Sequence, residues 1–258
     1  MNFNEIVQKS EMLARDIYLL RIKSDRISQE ALPGQFVNVR CSNGLDAYLR
    51  RPISICRADP LNNTFDIVFM KKGKGTNYLC CFSEGESIDI MGPLGEGFTL
   101  PAENEKIAVV GGGIGIFPLL YLLEKSNTSR KTAFLGFQTA ESIVLKEDFQ
   151  KAGAELVIST DDGSFGLKGL VTEPFKKWLK SEKPDRVYTC GPLPMMKIVA
   201  ESCISLSVFC EVSMEQRMGC GIGACLVCAC KVKHNGDHDY AHVCKDGPVF
   251  PADRLIFD

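Results

Sequence analysis

The sequence lacks the features that mark several large classes of protein. Its 258 residues carry 30 Lys and Arg against 32 Asp and Glu, and no basic run is long enough to bind nucleic acid or an anionic membrane. No apolar stretch approaches the length of a membrane span, and the N-terminus has no apolar core of a secretory signal. We therefore expect a cytoplasmic globular protein, with neither nucleic acid nor a membrane as its partner.

Histidine and tryptophan are scarce, whereas cysteine is abundant: three His and one Trp stand against twelve Cys. A chain of this length does not need disulfides to fold, and five of the cysteines follow residue 219, so their clustering favours a metal site. Six others are scattered in apolar sequence, where cysteine usually acts as a small buried hydrophobe. These six are Cys41, Cys56, Cys80, Cys81, Cys203 and Cys210.

Three segments differ in their pattern of apolar residues. Residues 1–101 contain short strand-like runs such as DIYLLRIKS and GQFVNVRC, separated by turn sequences, which predicts a small antiparallel barrel or sandwich. In residues 102–208 strand and helix patterns alternate, as in a parallel α/β sheet. Residues 209–258 are rich in Cys and Gly and too few to fold without a metal. The predicted fold class is a multidomain α+β protein.

Two loops in the middle segment predict a nucleotide-binding crevice. VVGGGIGIFPLL places a glycine run between a strand and a helix, where backbone N–H groups and the helix dipole favour a pyrophosphate. TCGPLPMMKIV ends a later strand at the carboxyl edge of the sheet, the edge at which open α/β sheets bind ligands. A strict G-x-G-x-x-G is absent, so a plain structural turn remains the alternative. The candidate residues are Gly111, Gly112, Gly113, Gly115, Cys190, Gly191 and Pro192.

The strand that follows the glycine loop ends in LGFQTAES. No arginine stands there to meet a 2′-phosphate, so the sequence favours NAD over NADP.

The stretch YLRRPISI in the first segment predicts a ligand-binding strand. Pro52 fixes its own φ and biases Arg51 toward an extended backbone, so Pro52, Ile53 and Ser54 should alternate between two faces. Arg51 can pair with a phosphate, and the Ser54 hydroxyl can hydrogen-bond a planar heterocycle. A surface arginine pair with a buried serine at the strand edge is the alternative.

The stretch KKGKGTNYL predicts a turn that can bind an anion. The backbone amides of Gly75 and Thr76 are available for this, and the preceding strand residues Val68, Phe69 and Met70 would lie alongside. The three lysines of the stretch are expected to be solvated.

The cysteine block RMGCGIGACLVCACKV has ferredoxin-like spacing. In Cys220-x4-Cys225-x2-Cys228, three thiolates are placed as in plant-type [2Fe–2S] ferredoxins, whose fourth ligand comes from further along the chain. Cys244 is the cysteine left to close such a site, and Cys230 would be a strand residue. Zinc also binds four cysteines, although zinc ribbons typically use two C-x2-C pairs.

The three histidines lie in the same region as the cysteine block. Two histidines would suit a Rieske centre. The composition of HNGDHD instead predicts a turn between two strands, with His234, His238 and His242 as solvated loop residues.

These motifs, in this order, resemble the ferredoxin–NADP reductase superfamily. They comprise R-P-x-S, G-x-G-T, G-P-L-G-x-G-F, V-V-G-G-G-I-G and C-G-P, followed by M-x-C-G-I-G-A-C-x-x-C and V-C-x-D-G-P-V-F. Together with the cysteine block they resemble the electron-transfer subunit of class 1B dihydroorotate dehydrogenase along essentially the whole chain. The resemblance implies an FAD-binding β-barrel (1–101), an NAD-binding α/β domain (102–208) and a [2Fe–2S] domain (209–258). It implies FAD contacts at residues 51–54, 68–70, 75 and 76, and it names the same four cluster cysteines.

The resemblance also implies a function. The chain would pass electrons from the FMN of a catalytic dihydroorotate dehydrogenase subunit, through [2Fe–2S] and FAD, to NAD⁺ in pyrimidine (UMP) biosynthesis, as a heterotetramer of two chains of each kind. A flavin is needed because the cluster moves single electrons whereas NAD⁺ takes a hydride. No catalytic acid–base pair is expected, since the substrate pocket would belong to the partner. Two alternatives remain: an NAD(P)H flavoprotein subunit serving ferredoxin, hydrogenase or sulfite reductase, and a non-catalytic, zinc-stabilised nucleotide sensor.

Overall fold

The structure is a computed structural model that describes residues 3–42, 44, 46–234 and 236–257. None of the predicted site residues lies outside these ranges. The turn predicted in HNGDHD includes position 235, which does.

The first segment forms a closed antiparallel barrel, which confirms the predicted barrel. Its strands follow the order β1-β2-β5-β4-β3-β6. They are β1 (Phe3–Ala14), β2 (Ile17–Lys23), β3 (Phe36–Val39), β4 (Arg51–Asp59), β5 (Thr64–Met70) and β6 (Ser87–Leu94). Two short helices connect them, α1 (Asp25–Glu30) and α2 (Lys74–Leu79). Helix α2 begins inside the stretch predicted as a turn, so Gly75 and Thr76 lie in a first helical turn.

Strands β3 and β4 present different residues to the barrel core and to its outside. Because side chains alternate along a strand, Val37, Val39 and Ile55 fill the barrel core. Phe36 pairs with Ser54 and Asn38 pairs with Pro52, and these four residues share the opposite face. That outer face is the one turned toward the rest of the molecule.

The middle segment alternates strands and helices around a parallel sheet, as predicted. The elements are β7 (Ile107–Gly112), α3 (Ile116–Lys125), β8 (Lys131–Phe137), α4 (Lys146–Lys151), β9 (Ala154–Thr160), β10 (Leu167–Lys168), α5 (Thr172–Glu182), β11 (Arg186–Cys190) and α6 (Leu193–Ser205). Short 3-10 helices cover Gly113–Gly115 and Ala140–Ser142. Within the described ranges, no helix is both long and apolar enough to span a membrane.

The last segment is not separate from the central sheet. The sheet order is β10-β9-β8-β7-β11-β12-β15, in which β12 (Phe209–Ser213) pairs parallel to β11 and β15 (Val249–Pro251) pairs antiparallel to β12. The predicted boundary after residue 208 therefore separates two paired strands. Both ends of the last segment, β12 and β15, form ladder hydrogen bonds in the central sheet. The cysteine block is therefore an insertion between these two strands.

Between those two strands the chain forms a β-hairpin, as the sequence predicts. It consists of β13 (Ala229–His234) and β14 (Asp237–His242), and a 3-10 helix at Ala252–Arg254 follows β15. The histidines thus lie in or at the ends of strands rather than in a loop. His238 and His242 lie beside Asp237 and Asp246.

The scattered cysteines are mostly buried, as expected. Cys41, Cys56, Cys203 and Cys210 are buried, and Cys80 is half-buried. Cys81 is exposed, contrary to expectation, because it follows the C-terminal end of α2 at the surface.

Helix α3 joins the barrel to the α/β domain. The Tyr121 side chain is 1% exposed and packs in the barrel core, where its hydroxyl donates a 2.8 Å hydrogen bond to the Ala31 carbonyl. One turn further on, Glu124 pairs with Arg57 of β4, whose guanidinium also donates to Asp148 at 3.0 Å. The two domains are therefore held together by a buried aromatic side chain and an ion-pair network.

Tyr121→Phe should lower the free energy of unfolding by about 1 to 3 kcal/mol, because the Ala31 carbonyl stays buried without its donor. Chemical denaturation monitored by circular dichroism measures the change. Tyr240→Phe, at a residue 53% exposed, is the control and should change stability little. Equal stability of the two variants would contradict the role assigned to the Tyr121 hydroxyl.

Candidate cofactor sites

A cleft of about 190 Å³ lies between the outer face of the barrel, the central sheet and the segment that follows β12. Phe36, Pro52 and Ser54 form its barrel wall, and Cys190 and Ile114 come from the α/β domain. This wall offers apolar surface and one hydroxyl, which suits a planar heterocycle. Ile53 faces the barrel core instead. The predicted residues Pro52 and Ser54 therefore both line this cleft, which is called the flavin cleft below.

Arg51 and Gly75 meet at one end of this strand. A Cβ atom built on Gly75 would lie 2.6 Å from the Arg51 Nε, so only glycine lets the guanidinium approach this closely. The Thr76 hydroxyl accepts hydrogen bonds from the Lys72 and Gly73 amides, at 2.9 and 3.1 Å. A guanidinium beside the first turn of a helix is a suitable place for a phosphate group.

The residues Val68, Phe69 and Met70 take different positions. Val68 and Phe69 are buried, whereas Met70 is 38% exposed. The ladder between β4 and β5 ends at the Ile55–Ile67 pair. The backbone of these three residues therefore lies beyond the last pair of the β4–β5 ladder. A cofactor on this side would contact their backbone atoms rather than the Val68 and Phe69 side chains.

The glycine loop and the C-G-P strand end form one crevice of about 360 Å³. A Cβ atom on Gly115 would lie 2.4 Å from the Cys190 carbonyl oxygen, and one on Gly112 would lie 2.9 Å from Pro192. Both substitutions would push the two loops apart. The crevice is lined by Gly112, Gly113, Ile114, Gly115, Gly191, Pro192, Leu193, Met196, Glu215 and Gln216.

Two predicted residues have other positions. Gly111 packs against Ile116 and Leu119 of α3, so it serves strand–helix packing rather than the crevice. Cys190 lines the flavin cleft, where burial raises the pKa of its thiol to about 12. It stands at the boundary between the two cavities.

The segment after β12 contributes residues that the sequence patterns did not single out. Ser213, Met214 and Met218 line the flavin cleft, and Glu215 and Gln216 line both cavities. Their position at the carboxyl end of a parallel strand was the available signal. Glu215 is an exposed residue. Desolvation by the surrounding protein nevertheless raises the pKa of its carboxyl group, whereas the positive charge of Lys72 acts to lower this pKa.

In the cysteine loop, backbone amides point at sulfur. The Cys220 Sγ accepts hydrogen bonds from the N–H groups of Ile222, Ala224 and Cys225, at 3.4, 3.2 and 3.4 Å. Desolvation opposes ionisation of Cys220, but these hydrogen bonds outweigh it and lower the thiol pKa to about 6. A thiolate stabilised in this way is a ready metal ligand.

The four predicted cluster cysteines come together as two pairs. The backbone N–H groups of Cys220 and Cys225 each donate to the other's Sγ at 3.4 Å, and the Cys244 N–H donates to the Cys228 Sγ at 3.4 Å. The Gly223 amide donates to the Cys244 Sγ at 3.1 Å. Burial and the Cys228 thiol raise the pKa of Cys244 to about 12. No three His, Cys, Asp or Glu side chains in the described part of the chain converge on a single-ion site. Two pairs of thiols fit a cluster with two irons.

Cys230 lies outside this group. It stands in β13 opposite Ala241 and is 6% exposed, and burial raises the pKa of its thiol to about 11. It is a buried strand residue, as the sequence predicts.

The fold and these cavities define a class of protein: a flavin- and nicotinamide-dependent oxidoreductase with an iron–sulfur segment. Residues 5–98 match the model of the oxidoreductase FAD-binding domain. Residues 215–256 match that of the iron–sulfur cluster binding domain of dihydroorotate dehydrogenase B. The FAD-binding and iron–sulfur domains inferred from the sequence are confirmed.

Curated relatives are similar over nearly the whole chain. The dihydroorotate dehydrogenase B (NAD(+)) electron transfer subunit of Desulforamulus reducens is 41% identical, covering 96% of this chain and 95% of its own. The subunit of the same name from Fusobacterium nucleatum subsp. nucleatum is 40% identical, covering 95% of each chain. The chain belongs to the family of dihydroorotate dehydrogenase B electron transfer subunits. This confirms the resemblance.

Solved structures agree with the fold. A chain from a study of an NADH-dependent reduced ferredoxin–NADP oxidoreductase superposes with a TM-score of 0.85 at 30% identity, covering 99% of this chain and 90% of that one. The cytochrome P450 reductase GcoB of Amycolatopsis superposes with a TM-score of 0.67 at 18% identity, covering 80% of this chain and 66% of that one. The second likeness bears on the fold alone.

Cys244→Ser should lose or alter the visible absorbance of the cluster, because Cys244 closes the predicted ligand set. Cys230→Ser is the matched control, since it changes another buried cysteine nearby, and it should keep the wild-type spectrum. Absorbance and iron content of anaerobically purified protein measure both. The opposite pattern would overturn the ligand assignment while leaving the family assignment intact.

Gly115→Ala should slow flavin reduction by NADH roughly 10- to 100-fold, because the added methyl group displaces the glycine loop from Cys190 and misplaces the nicotinamide. Stopped-flow absorbance at the flavin band measures the rate. The control Gly153→Ala places its methyl group in open space, away from both loops, and should keep the parent rate despite the local backbone strain at its φ of +81°. Equal rates in the two variants would show that contact between the loops does not position the nucleotide.

Proposed function

We propose that the chain carries electrons from the FMN of a dihydroorotate dehydrogenase catalytic subunit, through a [2Fe–2S] cluster and FAD, to NAD⁺. It would act in the cytoplasm, in the step that supplies pyrimidine (UMP) biosynthesis. The observation that carries the proposal is that the flavin cleft shares lining residues with the nucleotide crevice and lies next to the cysteine loop. Ile114 and Glu215 line both the flavin cleft and the nucleotide crevice, and Met218, two residues before Cys220, lines the flavin cleft.

The residues present suit this relay. Bound FAD supplies the adaptation between single electrons and a hydride, and the cluster supplies one-electron steps. Arg51 and the first turn of α2 would hold the FAD phosphates, while Pro52 and Ser54 would hold the ring. The loops at Gly115 and Gly191 would hold the nicotinamide nucleotide across the flavin cleft. No protein acid or base is required for hydride transfer between stacked rings.

An apolar surface beside the cluster is the proposed docking site for the catalytic subunit. Ile222, Leu226 and Val227 are 56%, 58% and 57% exposed and adjoin the cluster cysteines in sequence. Clustered exposed apolar side chains mark protein interaction sites. Docking here would bring the partner's FMN to the cluster, in a complex of two chains of each kind.

A ferredoxin-linked reductase subunit is the second candidate. It is favoured by the similarity to the chain from the NADH-dependent reduced ferredoxin–NADP oxidoreductase study, which covers 99% of this chain. The two candidates differ in the partner and not in the FAD and cluster sites. The identity of the co-purifying partner distinguishes them.

The isolated chain should show flavin and [2Fe–2S] absorbance and should oxidise NADH with an artificial acceptor, yet should not oxidise dihydroorotate. Dihydroorotate-dependent NAD⁺ reduction should appear only with the FMN-containing subunit. Leu226→Glu should abolish that coupled reaction and co-purification while keeping NADH oxidation, because a charge enters the apolar docking surface. A coupled assay and size-exclusion chromatography measure these outcomes.

Leu61→Glu is the control, since Leu61 is 95% exposed and lies in the turn between β4 and β5, at the opposite end of β4 from Arg51. It should leave both reactions unchanged. Oxidation of dihydroorotate by the chain alone would overturn the proposed function. Coupling to ferredoxin without any FMN-containing partner would favour the second candidate.

A further inference from the structure

Asn38 lies between the flavin cleft and the cysteine loop. It occupies β3 directly opposite Pro52 and is 1% exposed. Its side-chain Nδ2 donates a 3.4 Å hydrogen bond to the backbone carbonyl of Cys220. One buried amide thus connects the strand pair of the proposed flavin seat with a predicted ligand of the cluster.

The position of Asn38 on the sheet places it beside the wall of the flavin cleft. Phe36, Pro52 and Ser54 share its face of the β3–β4 pair, and all three line the flavin cleft. Since residues two apart on a strand lie on one face, Asn38 continues this surface by one position. The cleft wall therefore runs on from the flavin seat to the cluster loop.

The cluster loop rests on Asn38 through a glycine. Gly221 has a φ of +77°, and a Cβ atom built on it would lie 2.5 Å from the Asn38 Nδ2. Any larger residue would lift the loop away from the barrel. The gap between the loop and the strand is thus set by direct contact between a backbone and an amide.

The side-chain oxygen of the Asn38 amide has an unusual environment. The Asn38 Oδ1 is buried and has no hydrogen-bond partner among the described residues. Buried polar atoms of this kind are rare in folded proteins and call for an explanation. A leucine would fill a similar volume without a buried polar atom, so the polar group points to a purpose other than packing.

We propose that Asn38 is a positioning residue for electron transfer between the cluster and FAD, holding the Cys220 loop at a fixed distance from the flavin seat. The proposal rests on the proposed function only in assuming that both cofactors bind. In each electron transfer between the cluster and FAD, one of the two loses one electron and the other gains it, and no bond to Asn38 forms or breaks. The unpaired Oδ1 would accept a hydrogen bond from a donor outside the protein.

The test uses the full chain with FAD and the cluster bound, and NADH supplies the electrons. Asn38→Leu should bind both cofactors, and NADH should reduce the flavin at the parent rate. Transfer onward to the cluster should slow by about 10- to 100-fold, the usual effect of removing a group that orients a metal ligand. Stopped-flow absorbance and rapid-freeze EPR of the reduced cluster separate the two steps.

A second measurement does not depend on turnover. Pulsed EPR should show a longer distance between the reduced cluster and a flavin radical in Asn38→Leu than in the parent protein. Thr172→Val is the control, because it also removes a buried oxygen without a partner in the described residues. It lies at the start of α5, and it should change neither the distance nor the rate.

Two glycine substitutions provide an independent arm if Asn38→Leu fails to fold. Gly221→Ala should slow cluster reduction, because its methyl group meets the Asn38 amide. Adding Asn38→Ala should relieve this clash without restoring the parent rate, because the hydrogen bond to the Cys220 carbonyl is then lost. Gly153→Ala, between α4 and β9, is the matched control: its φ of +81° is equally strained, but its methyl group lies in open space.

Unchanged transfer rates and distances in Asn38→Leu, or equal rates in Gly221→Ala and Gly153→Ala, would overturn the proposal. These outcomes are separate from failure of the proposed function. Dihydroorotate and the catalytic subunit take no part in the NADH-driven steps, so absence of a dihydroorotate reaction would leave this result standing.

Discussion

The packing of α3 against β4 is the contact on which the geometry of the proposed cofactor sites depends. Helix α3 begins directly after the glycine loop, and strand β4 begins with the residues of the proposed flavin seat. Tyr121 anchors the helix in the barrel core, and Arg57 ties the far end of the strand to Glu124 and Asp148. Because α3 and β4 are rigid, anchoring them at Tyr121 and Arg57 also fixes the distance between the glycine loop before α3 and the flavin-seat residues at the start of β4.

The insertion between β12 and β15 adds the third site to this frame. Both flanking strands are held in the central sheet, so the cysteine loop is carried back across the outer face of the barrel. There it meets β3 and closes the flavin cleft with Glu215 and Met218. A short metal-binding segment would have little core of its own, and the sheet and barrel supply the support it lacks.

Much of the architecture was predictable from local patterns. Alternation of strands and helices identified the central sheet, and closely spaced short strands identified the barrel, because both depend on periodicity within a few residues. The start of α2 within KKGKGTNYL was missed, since glycines there suggest a turn until the helix is packed on the barrel. A change in composition after residue 208 marks the cysteine block, but strand pairing carries the central sheet further along the chain, through β12 and β15.

By itself the sequence determined the three kinds of segment, the glycine-rich nucleotide loop and the ferredoxin-like spacing of Cys220, Cys225 and Cys228, because each is written in neighbouring residues. Only the tertiary structure decided which walls the sites share. Asn38 and Cys220 stand 182 positions apart, and Glu215 reaches both cavities only because β12 joins the sheet beside β11. Contacts of this kind arise from the closure of the barrel and the order of the strands, which no local pattern encodes.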